Sequence, residues 1–176
     1  MRTFQIPRGF LKMTVMENLL ACGPGQPGET LSAALLARRS AREAETALIT
    51  RARAIAEKLN LSGVLDNRAA AISGGQKKLL EIGRALMAAP KMILLDEPMA
   101  GVNPALAETI AAHLASLTAD GVTLLLIEHN MGMIGKLCDP VIVMAEGRHL
   151  VTGRFADVAA DPRVQDVYLG RRARRA

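Results

Sequence analysis

The chain has 176 residues, a formal net charge of +5, and hydrophobic residues at half of its positions. That length favours one domain with a sizeable core. Three phenylalanines, one tyrosine and no tryptophan argue against a base-stacking surface, so no nucleic-acid partner is expected. The basic run Arg171, Arg172, Arg174 and Arg175 reads as a solvated end, or, near a membrane, as a contact for anionic lipid. No apolar stretch approaches the roughly 20 residues that span a bilayer, and no signal peptide is evident. Cys22 and Cys138 lack metal-ligand spacing and read as reduced thiols of a cytosolic protein.

In chain order, residues 13–20 pattern as a helix, and 21–30 (ACGPGQPGET) form a Gly/Pro-rich loop. Gly23, Gly28 and Thr30 imitate a phosphate loop, but Glu29 stands where a lysine is needed. A carboxylate there repels a phosphate by about 4 kcal/mol at 4 Å and an effective dielectric of 20. No strand precedes the loop either, so it is rejected as a phosphate site. Residues 31–59 are mostly helical. Ser40 and Glu43 suggest a capping box and a break near Ser40, and Leu48, Ala52, Ile55 and Leu59 mark the buried stripe. Arg38, Arg39, Arg42, Arg51 and Arg53 read as a solvated face.

The stretch 71–98 carries the most information. Ser73 precedes a helical pattern with Leu79, Ile82 or Gly83, Leu86 and Met87 on one face. Serine is a favoured N-cap, and Gly74 and Gly75 let another backbone come close. A helix start with unpaired N–H groups suits a phosphate, although Ser-Gly-Gly alone is equally an ordinary capped turn. Met92, Ile93, Leu94 and Leu95 then form a short apolar run, the mark of a strand buried on both faces. Asp96 and Glu97 fall where that strand leaves the sheet. In open parallel sheets ligands bind at that end, and an acidic pair there can hold Mg²⁺ and orient an attacking water.

Asn103 and Pro104 read as N-cap and first residue of the next helix, with Leu106, Ile110, Leu114 and Leu117 on its inner face. His113 lies beside that stripe, at the surface or its boundary. Asp120-Gly121 is a turn, and residues 122–127 (VTLLLI) read as a second buried strand. His129 sits just past its carboxyl end. Residues 131–138 form a short helix with core methionines. Residues 140–145 and 148–152 flank Glu146-Gly147 as a hairpin, with His149 facing out. A closing helix over 155–169 is interrupted at Asp161-Pro162.

Taken together, Ile72-Ser73-Gly74-Gly75-Gln76 and the run Met92, Ile93, Leu94, Leu95, Asp96, Glu97 resemble the ATP-binding-cassette (ABC) ATPases. That family's signature reads Leu-Ser-Gly-Gly-Gln, and its Walker B motif is four apolar residues followed by Asp-Glu. The phrases RTFQIPR, MTVMENLL and VQDVYLG are similar to the branched-chain amino acid importers. The resemblance runs over residues 5–170. It implies an α/β, P-loop NTPase-like fold: a helical signature subdomain over about 13–89 and the later part of a mainly parallel sheet core over about 90–176, all within one partial cassette domain. Asn103 stands where most of the family carries aspartate, which leaves a side-chain role there open.

The resemblance also implies roles. Asp96 and Gln5 would serve Mg²⁺ held with ATP. Glu97 would orient and deprotonate water, and His129 would contact the γ-phosphate. Ser73, Gly74, Gly75 and Gln76 would close over a nucleotide bound by a second cassette subunit in a head-to-tail dimer. Transmembrane permease subunits would be the other partners, placing the protein peripherally on the cytoplasmic face of the cell membrane. The family's Walker A loop lies upstream of the Gln5 position, and no lysine-bearing phosphate loop occurs in these residues. Two functions follow: an ATP-hydrolysing importer subunit, or a truncated, inactive remnant or interaction module.

Overall fold

The computed structural model describes residues 9–24 and 38–173. It divides into two compact units between Ile127 and Glu128. Gln5 and the Glu29 loop lie outside the described residues.

The first unit opens with helix α1 (Val15–Leu20), started by a reciprocal capping box. Thr14 Oγ1 accepts the Glu17 N–H, and Glu17 accepts the Thr14 N–H. Helix α2 (Arg38–Lys58) follows. It passes through Ser40 without interruption, so the expected break is absent; the Ala-Arg-Glu that follows are good helix formers and the helix simply continues. Of its expected inner stripe, Ala52 and Leu59 are fully buried and Leu48 and Ile55 half-buried, while Ala56, outside the expected set, is fully buried too. Arg42 and Arg53 are exposed, but Arg51 departs from the solvated-face reading. It is half-buried, and its Nη2 donates to the Leu86 carbonyl at 2.9 Å, where a cation stabilises the end of a helix.

That helix is α3 (Gly74–Met87), with Leu79, Leu80, Ile82, Leu86 and Met87 buried. A Cβ on Gly83 would lie 3.0 Å from Leu19 and 3.2 Å from Leu59, so this glycine sets how closely α1, α2 and α3 approach. The helix ends through Ala88 into Ala89, which adopts φ +48.

Strand β1 (Met92–Asp96) pairs in parallel with β2 (Thr123–Ile127), Ile93 opposite Leu124 and Asp96 opposite Ile127. The connection is helix α4 (Pro104–Ala119), started by Asn103 Oδ1 accepting the Leu106 N–H at 2.9 Å. Ile110, Leu114 and Leu117 are buried along its inner face. In β1, Ile93 and Leu95 are buried while Met92 is 46% exposed. The expectation of a second buried strand fails for β2, where Leu125 and Ile127 are 45% and 55% exposed. Paired residues of a parallel ladder share a face. One face therefore carries Ile93, Leu95, Leu124 and Leu126, and the other opens Met92, Leu125 and Ile127 to solvent.

The second unit begins with helix α5 (Met131–Leu137), capped by Asn130. Met133 is buried in it, as expected for a core methionine. Strands β3 (Val141–Ala145) and β4 (Arg148–Gly153) form the antiparallel hairpin. Glu146 and Gly147, at φ +49 and +76, make its turn, and two successive positive φ values give a twist that suits a two-residue hairpin loop. Helices α6 (Phe155–Ala160) and α7 (Pro162–Ala173) close the unit. Asp161 breaks the pair and accepts the Arg163 N–H at 2.8 Å, and the Arg163 guanidinium beside it holds its carboxyl below the ordinary aspartate range. Val141, Val158 and Val164 form the core, with Phe155 and Leu150 against it.

Candidate functional site

Three pieces of backbone bear the predicted chemistry. The first is the start of α3. Ser73 has extended φ/ψ, its Oγ accepts the Gln76 N–H at 3.2 Å, and the Gln76 side chain accepts the Ser73 N–H at 2.9 Å. Both polar groups of the cap are thereby fixed by each other, which holds the Ser73 hydroxyl at the mouth of the helix with its proton available to a ligand.

The two glycines behind it have different surroundings. A Cβ on Gly74 would meet nothing within 4 Å. One on Gly75 would run into the Leu106 side chain, 2.9 Å from Cδ1 and 3.2 Å from Cγ. Gly74 is thus the open position, where another surface can approach the helix start, and Gly75 is the packing position against α4. Nothing in the sequence separates the two, and Leu106 was read only as part of the inner stripe.

The second piece is the end of β1. Asp96 is the last strand residue and is half-buried. Glu97 follows at φ +46, a left-handed conformation that costs a non-glycine residue about 1 kcal/mol or more. Both its backbone groups are pinned. Its N–H donates to the Ile127 carbonyl at 2.9 Å, and its carbonyl accepts the Ala100 N–H at 3.0 Å. The chain therefore turns sharply at Glu97, directly after the strand.

Among the described residues no cluster of three or more His, Cys, Asp or Glu side chains can hold a metal alone. Asp96 stands at the carboxyl end of a parallel strand.

The third piece is His129, which belongs to the second unit. It is exposed, just after the β2 segment and before the Asn130 cap of α5. Its backbone carbonyl accepts a hydrogen bond from the Tyr168 hydroxyl of α7, and its N–H lies 3.3 Å from the Glu128 carboxylate. Tyr168 had no assigned role in the sequence, and no local pattern announces a contact 39 positions away. Elsewhere, His113 is half-buried, as a boundary residue should be, with its Nε2 unpaired. Burial first, and the nearby Lys58 charge after it, lower its pKa.

A helix mouth opened by Ser73 and Gly74, and a parallel strand closing on an acidic pair, mark the chain as an α/β protein. The model of the ABC transporter family matches residues 2–100, and the chain belongs to that family. It is 43% identical over 96% of its length to the probable branched-chain amino acid transport ATP-binding protein LivG of Methanocaldococcus jannaschii, and spans 66% of that protein. It is 34% identical to the high-affinity branched-chain amino acid transport ATP-binding protein BraF of Pseudomonas aeruginosa, covering 96% of this chain and 67% of that one. Among solved structures, an ATP-binding cassette of an ABC transporter in its ADP conformation superposes with a TM-score of 0.76 at 43% identity, covering 96% of this chain and 67% of that one. A nucleotide-free ATP-binding cassette gives 0.75 at 42% identity, covering 95% and 67%. The P-loop NTPase-like α/β fold expected from the sequence is therefore correct.

Proposed function

We propose that this chain is the ATP-binding and ATP-hydrolysing subunit of an ABC importer for branched-chain amino acids, energising transport through transmembrane permease subunits. The observation that carries the reading is the start of α3: a Ser73 cap fixed by Gln76, with an open Gly74 in the first turn of the helix. That mouth suits the phosphates of ATP presented by a second cassette subunit. The solved relative in its ADP conformation supports a nucleotide as the ligand, and the names of the curated relatives support the solute class.

In this reading Ser73, Gly74, Gly75 and Gln76 close over the partner's nucleotide, with Gly75 seating the mouth on α4. Asp96, with Gln5, serves Mg²⁺ in the ATP complex. Glu97 orients the attacking water and takes its proton, a contribution typically worth about 10²–10⁴ in rate. His129 meets the γ-phosphate. Residues 1–176 form part of one cassette domain, in which about 13–89 are the helical subdomain. Exposed Phe10 and Leu11, beside a hollow lined by Gly9, Leu11, Ala69 and Leu80 together with the charged Lys77, Glu81 and Arg84, support a membrane-subunit contact on that subdomain. No helix among the described residues is long and apolar enough to cross a membrane, which fits a peripheral place on the cytoplasmic face.

Association with a complete cassette tests the reading. The Methanocaldococcus jannaschii relative, made hydrolysis-deficient, should bind this chain on gel filtration only with Mg-ATP, and Gly74→Asp should abolish the complex. No ATP-dependent association of the unsubstituted chain contradicts the proposal.

A further inference from the structure

Asn18 is fully buried and polar, and its carboxamide is spent on backbone. Its Oδ1 accepts the Phe10 N–H at 2.9 Å. Its Nδ2 donates to the Phe10 carbonyl at 3.0 Å and the Thr14 carbonyl at 2.9 Å, with Met13 at 3.4 Å. Asn18 therefore pairs with both backbone groups of Phe10, as a neighbouring strand would, from inside α1.

The segment it grips is one side of a hydrogen-bonded strap. Ala70 N–H donates to Leu11, Ala69 N–H to Met13, Val15 N–H to Asn67 and Met16 N–H to Leu65, all at 2.9–3.0 Å. Thr14 and Arg68 form an antiparallel bridge at its centre. The Met13 carbonyl is shared by Asn18 and Ala69, so the carboxamide reaches the second side directly. That second side runs on to Ile72, 5% exposed, and then to Ser73. Lys77 Nζ, one turn into α3, also returns to the Ala70 carbonyl at 3.3 Å. On the first side, the Phe10 ring lies 5.3 Å from the Arg84 guanidinium of α3.

We propose that Asn18 is a positioning residue for the nucleotide-facing mouth: by clamping residues 10–14 it holds the 65–70 side of the strap, and with it the Ser73 start of α3, in one register. This rests on the reading of Ser73 given above. The bonds form a contiguous path between the two segments, along which they can be coupled. Without the carboxamide, the Phe10 backbone pair has water as its replacement partner, and the strap opens at that end.

Amide exchange read residue by residue on the full chain tests this without relying on any activity. Asn18→Leu keeps the shape and removes every bond; Asn18→Asp keeps the acceptor for Phe10 N–H and turns a donor into a carboxylate facing carbonyls. In both, exchange at Ala69 and Ala70 should rise at least tenfold, and at Phe10 in Asn18→Leu alone, while Leu95 and Ile110 are unchanged. The amide resonances of Ser73 to Gln76 should move, and those of Leu86 and Met87 should not. Unchanged exchange at Ala69 and Ala70, or unmoved Ser73 to Gln76 resonances, overturns the proposal. A uniform rise at every amide also overturns it, because Asn18 would then serve folding alone. If the strap responds as stated but no cassette partner binds, the failure belongs to the functional reading and not to Asn18.

Discussion

Gly75 of α3 packs directly on Leu106 of α4, so closely that a methyl group at position 75 would lie 3.2 Å from Leu106 Cγ and nearer still to its methyl carbons. Gly74, one residue earlier, faces open space. The two adjacent glycines should therefore respond in opposite directions to the same substitution. Gly74→Ala should raise stability by up to about 1 kcal/mol, because alanine is the better helix former. Gly75→Ala should lower it by about 1 kcal/mol, an overpacking penalty of about 2 kcal/mol against half-buried Leu106 less the same helix-propensity gain. Urea unfolding midpoints measure both, and in a Leu106→Ala background the penalty at Gly75 should vanish.

This contrast marks the limit of what the sequence conveys. Features set within a few residues were legible: the Ser73 cap, the Asn103-Pro104 helix start, the Glu146-Gly147 turn and the break at Asp161-Pro162 each depend on local backbone chemistry. Features set by neighbours distant in the chain were not. The run at β2 reads as buried whether or not its outer face is covered, and Leu125 and Ile127 are exposed. The contacts of Gly75 with Leu106, Arg51 with the Leu86 carbonyl and Tyr168 with the His129 carbonyl all join separate elements. The Asn18 clamp is short in range, but it depends on a loop fold that no periodicity encodes. The Thr14 and Glu17 capping box could have been read from its spacing alone.

At Ala89, φ is +48 in the position just past the end of α3, where glycine is the favoured residue. Ala89→Gly should stabilise the first unit by about 0.5–1 kcal/mol, the relief of left-handed strain exceeding the added freedom of the unfolded chain. Thermal and urea unfolding should agree; a loss of stability would show that the strain is not stored there.

His113 gives a pH dependence with a definite sign. Burial holds its folded pKa below the ordinary histidine range, so the unfolded chain takes up the proton first as pH falls. The neutral imidazole costs nothing above about pH 6.5, and stability declines as the pH drops through the window between the unfolded and the lowered folded value. Urea midpoints at pH 7.5 and 5.5 should therefore fall further for the unsubstituted protein than for His113→Gln. Equal declines would remove His113 as a source.

Tyr168→Phe deletes one hydroxyl from a half-exposed ring. Global stability should change by no more than about 0.5 kcal/mol, as for most surface substitutions. The local effect should be larger: the His129 carbonyl carbon resonance should shift and the Asn130 amide should exchange faster. A resonance that stays in place would mean that Tyr168 does not hold the His129 backbone in solution.

The proposed chemistry turns on Glu97, held in a left-handed turn by its N–H donating to the Ile127 carbonyl and its carbonyl accepting the Ala100 N–H. The most direct measurement is Mg-ATP turnover by a chimera that joins to this chain the third of the Methanocaldococcus jannaschii relative lying outside the match, with and without Glu97→Gln. The proposal predicts hydrolysis by the chimera, a loss of about 10²–10⁴-fold on Glu97→Gln, and ATP affinity unchanged in the variant. Turnover that survives Glu97→Gln, or a chimera that binds ATP and never hydrolyses it, would contradict the assignment.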